Sequence, residues 1–228
     1  MTHHSLPLGR RLIGEFIGSG LLAAIVIGSG IAAQRLSPTD VGLQLLENAL
    51  VTGAGLFALI LMFGAATGAH FNPAVSFVDA GFGGVSWREA GAYTMTQILG
   101  CIAGAITANV MFAGKAISIS THHRATGPHL FAEAIATAGL ITVIFALARN
   151  GKHAYTPAAV GAYIMAAYFF TSSTSFANPA ITIGRMFSNS FAGIAPSSVL
   201  PFIGAQIVGA VVGYGVVVVL YPHHQEAR

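Results

Sequence analysis

The tripeptide Asn-Pro-Ala occurs twice in the chain, and each copy has the composition of a helix start. Asn is a preferred N-cap and Pro a preferred first helical residue. Each Asn amide would then lie at the positive end of a helix dipole, where it can donate a hydrogen bond to a passing oxygen. A path beside such a site repels cations and admits neutral hydroxylated molecules. The six residues are Asn72, Pro73, Ala74, Asn178, Pro179 and Ala180.

The composition indicates a membrane protein. Of the 228 residues, 54% are hydrophobic and only 7% are charged, against roughly 25% charged in an ordinary soluble domain. The few basic residues are scattered, which excludes nucleic acid as a partner. One cysteine, Cys101, excludes an internal disulfide. We find no nucleophile, base and orienting partner together, so an enzyme is not indicated, and nothing in the sequence calls for a cofactor.

Apolar stretches long enough to cross a bilayer predict six transmembrane helices. They are residues 12–34, 48–69, 90–114, 130–148, 154–184 and part of 186–225. The two Asn-Pro-Ala copies should begin shorter helices, over 72–79 and from 178 toward 193. Neither is long enough to span, so both are expected to be re-entrant half-helices lining a wet cavity.

The landmarks of the first half recur in the second half in the same order, as Glu15 with Glu133 and Gln97 with Gln206. The halves, 8–114 and 128–222, hold three crossings each. Because three is odd, the halves must have opposite orientations in the membrane. The predicted fold is therefore a single all-α membrane domain, an inverted repeat with its working site at the midplane where the halves meet.

Glu15 and Glu133 need an explanation, because an unpaired intramembrane carboxylate costs at least about 3 kcal/mol. In one interpretation each carboxylate accepts backbone N–H bonds from the segment before an Asn-Pro-Ala copy and anchors that loop. In the other, the two acids carry protons in a secondary transporter. The matched positions favour the anchoring role.

The distribution of Lys and Arg predicts that both termini are cytoplasmic in a multi-pass protein of the cell membrane. That orientation puts six basic residues inside, against Arg35, Lys115 and Arg124 outside. The six are Arg10, Arg11, Arg88, Arg149, Lys152 and Arg228. Arg185 belongs to neither group, because it lies at membrane depth. Three histidines crowd the segment before residue 130, but without a companion carboxylate they do not predict a metal site.

The chain resembles the aquaporin and aquaglyceroporin superfamily, the major intrinsic proteins, over essentially its whole length. The resemblance rests on Gly14-Glu15-Phe16, on residues 68–75, on Gln97 and Gln206, and on the second Asn-Pro-Ala. It implies passive conduction of water and small neutral solutes by a homotetramer in the lipid bilayer, with one pore per protomer. His70 is expected to orient the loop at the inner mouth.

The resemblance also implies an outer selectivity filter at four positions, Thr52, Ala166, Ser175 and Ile181. In the family an Arg normally follows the second Asn-Pro-Ala, and here that place holds Ile181. These residues predict a wide opening without fixed charge, able to admit polyol-sized solutes. Arg185 lies four residues beyond Ile181 on the same helix face. It either lines the outer mouth or caps loop carbonyls, and both interpretations stay open.

Residues 171–187 resemble a narrower bacterial branch whose genes lie among arsenic-resistance genes. That resemblance implies arsenite, as neutral As(OH)3, and methylated arsenicals as cargo alongside glycerol-like polyols. A strict water channel is the main alternative, which Ile181 and Ala166 disfavour. The proton-coupled transporter using Glu15 and Glu133 is the other.

Overall fold

A computed structural model of the chain describes residues 6–222, and these residues form eight α-helices, one short 3-10 turn and no β-strand. The helices are α1 (Leu8–Leu36), α2 (Val41–Thr67), α3 (Pro73–Gly81), α4 (Trp87–Met111), α5 (Gly127–Arg149), α6 (Thr156–Phe170), α7 (Pro179–Arg185) and α8 (Pro196–Leu220). The all-helical prediction is confirmed.

Five helices, α1, α2, α4, α5 and α8, are long and apolar enough to cross a membrane. The fifth predicted crossing, residues 154–184, holds a shorter helix than expected. Helix α6 has 15 residues and ends at Phe170, so it rises only about 22 Å. Residues 171–177 leave the helix and lead into Asn178.

The two short helices begin where the sequence predicts, because Asn72 and Asn178 each cap their own first turn through the side-chain oxygen. Helix α7 is shorter than predicted and stops at Arg185 rather than near Gly193. Beyond it, the carbonyls of Met186 and Phe187 accept hydrogen bonds from the backbone of Ser120 and Ser118 instead of continuing the helix. The segment after α7 is therefore built into the loop before α5.

The helices pack in pairs that match between the two halves. In the first half, α1 packs against α4 and α2, and in the second half α5 packs against α8 and α6 in the same way. The contact of α2 with α6 joins the two halves. Helix α7 packs on α4 as α3 packs on α8. Glycines allow the closest approaches. A Cβ added at Gly104 would lie 2.0 Å from the Gly20 carbonyl oxygen, and one at Gly209 would lie 2.3 Å from that of Ala134.

Candidate functional site

The N-termini of α3 and α7 meet through reciprocal hydrogen bonds. The amide nitrogen of Asn72 donates to the Ala177 carbonyl at 2.8 Å, and that of Asn178 donates to the Phe71 carbonyl at 2.7 Å. Each side-chain oxygen accepts from the backbone N–H of the Ala two residues later. A primary amide has two N–H groups, so one in each Asn remains available for a molecule beside the helix tips.

The loops before the two tips have the same unusual backbone. Ala69 and Phe71 in the first loop, and Ser175 and Ala177 in the second, have positive φ values of 46–50°. A non-glycine residue in this region costs of order 1–3 kcal/mol and persists only when its surroundings hold it there. The two loops therefore need anchors.

Glu15 is the anchor of the first loop. Its carboxylate accepts the backbone N–H groups of His70 at 3.1 Å and Phe71 at 2.8 Å. The Thr67 hydroxyl donates at 2.7 Å and the Gln97 amide at 2.8 Å. Both oxygens of this fully buried carboxylate are thus occupied by donors.

Glu133 holds the second loop with the corresponding set of bonds. It accepts the N–H groups of Phe176 at 2.8 Å and Ala177 at 2.9 Å, and the Gln206 amide at 2.7 Å. Gln206 also donates to Thr182, as Gln97 does to Ser76. These contacts have the geometry that the anchoring interpretation requires.

A cavity of about 760 Å³ runs past the helix tips and is lined by both Asn72 and Asn178. We call the end lined by Tyr168, Ser175 and Arg185 the Arg185 end, and the end lined by Asp79 and His153 the Asp79 end.

Backbone carbonyls from both loops are available along the cavity. Those of Gly68 and Ala69, and of Ser175 and Phe176, accept no hydrogen bond from the described residues, and all four residues line the cavity. The cavity thus offers amide donors at the tips and carbonyl acceptors on either side.

The family model described as major intrinsic protein matches residues 2–177. The chain belongs to the major intrinsic protein family. This family consists of passive membrane channels rather than enzymes.

Relatives of this major intrinsic protein cover most of its length. "Aquaglyceroporin AqpS" of Rhizobium meliloti (strain 1021) is 45% identical over 205 residues, which are 90% of this chain and 87% of the relative. "Aquaporin NIP1-1" of Zea mays is 29% identical over a match that covers 92% of this chain and 74% of the length of that relative. The solved structure of the aquaglyceroporin from Plasmodium falciparum matches with a TM-score of 0.70 at 23% identity, over 92% and 96% of the two chains. That last match shows the fold alone.

Three of the four expected filter residues of this major intrinsic protein line the cavity, namely Thr52, Ser175 and Ile181. Ala166 does not, because it lies on an exposed face of α6. The wall of the cavity on α6 is instead formed by Ile164 and Tyr168, and the Tyr168 hydroxyl is 3.1 Å from that of Thr52.

Helical periodicity explains why Tyr168 lines the cavity and Ala166 does not. Residues two apart on a helix point in nearly opposite directions, whereas residues four apart share a face. Val160, Ile164 and Tyr168 follow that spacing and all line the cavity. This pattern is readable in the sequence and predicts Tyr168 once Ile164 is placed, whereas counting residues back from Asn178 does not.

Arg185 is both a cavity residue and a partner of a loop carbonyl. It lines the cavity, and its Nε donates to the Ala192 carbonyl in the loop after α7. Its guanidinium carbon lies 3.3 Å from the centre of the Phe176 ring, so one face of the group is covered. The side chain is buried, with 2% of its surface exposed.

Sequence reasoning missed Arg124, which the loop before α5 brings to the same place. Its guanidinium donates to the carbonyls of Gly193 at 2.7 Å and Phe191 at 2.8 Å. It lies 5.4 Å from the Phe176 ring centre. No sequence signal marks this contact, because it depends on how two loops fold together.

Two histidines of the described residues, His70 and His153, line the cavity. His70 lines the cavity, with Nδ1 3.1 Å from the Ser76 hydroxyl and Nε2 3.6 Å from an Asp79 carboxylate oxygen. Within residues 6–222, no group of three or more His, Cys, Asp or Glu side chains is placed to hold a metal ion. Partial burial and the nearby Arg124 guanidinium lower the pKa of His122.

Proposed function

We propose that this protein is a passive channel with a wide filter that conducts water and small neutral solutes. Glycerol-like polyols, arsenite as As(OH)3 and methylated arsenicals are the proposed solutes. The observation that carries the proposal is Ile181, which lines the cavity where the family normally has an Arg. The 45% identity to a protein named aquaglyceroporin supports the polyol class.

The proposed architecture completes six crossings with two re-entrant half-helices. Helix α6 and the non-helical residues 171–177 together form the fifth crossing, and α3 and α7 enter from opposite sides. The matched helix pairs and the matched bonds of Glu15 and Glu133 support an inverted repeat with halves 8–114 and 128–222.

We further propose the placement in the membrane. Both termini are cytoplasmic, the Arg185 end of the cavity faces outward, and the protein lies in the cell membrane as a homotetramer. Large apolar side chains exposed on α1 and α2, such as Ile13 and Met62, suit lipid or neighbouring protomers.

Selection against cations follows from the two helix tips. Each tip brings roughly half a positive charge to the same point of the cavity. A neutral solute accepts hydrogen bonds from Asn72 and Asn178 and donates to the free carbonyls of Gly68, Ala69, Ser175 and Phe176. A cation would lose its water there without gaining a counter-charge, so it is excluded.

The size of the solute is set at the Arg185 end. Ile181, Thr52, Tyr168 and Ser175 surround this part of the cavity. Ile181 presents an apolar side chain without a fixed charge, while the Thr52 and Tyr168 hydroxyls offer polar contacts. This arrangement suits a molecule with apolar and hydroxylated faces, such as glycerol or As(OH)3.

Proteoliposomes test the proposal through osmotic swelling with glycerol, As(OH)3 uptake and water flux. We expect conduction of both solutes. Ile181→Arg should lower solute flux more than water flux, because it places a long charged side chain where Ile181 lines the cavity. Ile181→Met, which is long but uncharged, is the matched control and should reduce the flux ratio less. Rapid water flux with neither solute conducted would refute the wide filter and favour a strict water channel.

A further inference from the structure

The Arg185 end of the cavity holds hydrogen-bond donors that neutral solutes do not need. To the residues that the structure describes, the Arg185 side chain donates one hydrogen bond, from Nε to the Ala192 carbonyl. Its two terminal nitrogens have no acceptor among residues 6–222, yet neither is sealed from the surface. The Phe176 ring covers one face of the guanidinium, so the edge carrying these nitrogens remains the free donor surface.

Ser175 is a second unused polar group at the same place. It lines the cavity, it is 3% exposed, and its hydroxyl oxygen has no hydrogen-bond partner within the described part of the chain. The same oxygen is sealed from the surface, so it reaches an incoming acceptor only when the Ser175 side chain rotates, and its lack of a partner favours that rotation. Ser175 directly precedes Phe176, whose ring packs against Arg185.

The charges around this end are positive. Arg185 is the one Arg or Lys lining the described cavity, and Arg124 adds a second guanidinium beside the same Phe176 ring. Asp79 is the one carboxylate on the described lining. It lies on α3, about 10 Å along that helix from the Asn72 tip. The buried Glu133 interacts with both arginines, but its oxygens already accept three hydrogen bonds.

We propose that the Arg185 end is a binding site for small planar monovalent oxyanions, the class that includes nitrate and carboxylates. The free edge of a guanidinium is a two-pronged donor that matches two oxygens of such an anion. Ser175 supplies a further hydroxyl, and Arg124 strengthens the positive field. The site lies in the path of the proposed function, so a bound oxyanion competes with glycerol for entry.

Flux inhibition tests this proposal. Glycerol-driven swelling of proteoliposomes is measured at pH 7 and constant ionic strength while sodium nitrate replaces sodium chloride. Chloride carries the same charge but has no pair of oxygens. We expect nitrate to slow swelling, about twofold when its concentration equals its Kd, which for a weak site is of order 1–10 mM. Equal rates in the two salts would overturn the proposal.

Three variants assign the effect to the site. Arg185→Gln should abolish nitrate inhibition, and Arg185→Lys should weaken it severalfold because the two-pronged edge is lost. Ser175→Ala should also weaken it. Since the Ser175 hydroxyl makes no hydrogen bond to any described residue, this variant removes none of those bonds and remains informative even if Arg185 variants do not fold. Arg35→Gln is the control, because Arg35 is outside the cavity lining, and its inhibition should equal that of the unaltered protein.

Direct binding separates failure of this site from failure of the proposed function. Saturation-transfer NMR of formate is recorded on the detergent-solubilised protein, without any need for conduction. We expect a formate signal that nitrate displaces and that Arg185→Gln or Ser175→Ala reduces. A signal unchanged in both variants would overturn the site, whereas displaceable binding in a protein without glycerol flux would refute the channel proposal alone.

Discussion

Removing the Glu133 carboxylate should unfold the second loop, because three buried donors would lose their acceptor. These donors are the N–H groups of Phe176 and Ala177 and the amide of Gln206. A buried donor left unpaired costs about 1–3 kcal/mol, so Glu133→Ala should cost roughly 3–9 kcal/mol. A whole domain is stable by only about 5–15 kcal/mol. We expect little folded protein from this variant.

Glu133→Gln is the variant in which the loss of stability can be measured on folded protein. The Gln side chain keeps one oxygen but replaces the other with an NH2 group that faces donors, so one or two bonds are lost at a cost of about 1–6 kcal/mol. By the scaling for soluble domains of 150–250 residues, that corresponds to a drop in Tm of roughly 2–24 °C. The variant should still assemble and conduct glycerol.

Thermal unfolding of the detergent-solubilised protein, followed by size-exclusion chromatography, measures this effect. Glu47→Gln is the control, because among the described residues one oxygen of Glu47 accepts a single hydrogen bond, from the Ser37 hydroxyl, and the other has no partner. Its Tm should fall much less. If Glu133→Gln leaves the Tm unchanged and instead abolishes pH-driven solute uptake, the anchoring argument is refuted and the transporter alternative gains support.

Two further predictions concern the cavity wall and the helix contacts. Tyr168→Ala should raise glycerol flux severalfold relative to water flux, because Tyr168 lines the cavity, whereas Ala166→Phe should leave that ratio unchanged because Ala166 is exposed. If swelling assays show that Ala166→Phe changes the glycerol-to-water flux ratio and Tyr168→Ala does not, Ala166 lines the filter and this prediction is wrong. Gly104→Val should destabilise the α1–α4 contact by about 3 kcal/mol or more, since a Cβ there meets a backbone oxygen at 2.0 Å. Gly91→Ala on the same helix meets nothing within 4 Å, and equal melting of the two variants would contradict the packing argument.

The bounds of the helices show how far local signals reach. The starts of α3 and α7 were predictable, because an Asn cap followed by Pro acts within one turn. The end of α7 was not, since the carbonyls after Arg185 are taken by residues 118 and 120, which are distant in the sequence. Arg124 was missed for the same reason.

Composition, apolar runs and the repeated landmarks were enough to predict an all-helical membrane protein of the major intrinsic protein family, with two Asn tips and two buried carboxylates. These features could be predicted because each depends on neighbouring residues or on a motif that occurs twice. Only the packed structure showed which face of α6 lines the cavity. It also showed that Arg185 holds a loop and still keeps free hydrogen-bond donors. Such choices depend on the rotation of one helix against another and on loop contacts between distant residues, and the order of amino acids does not encode these locally.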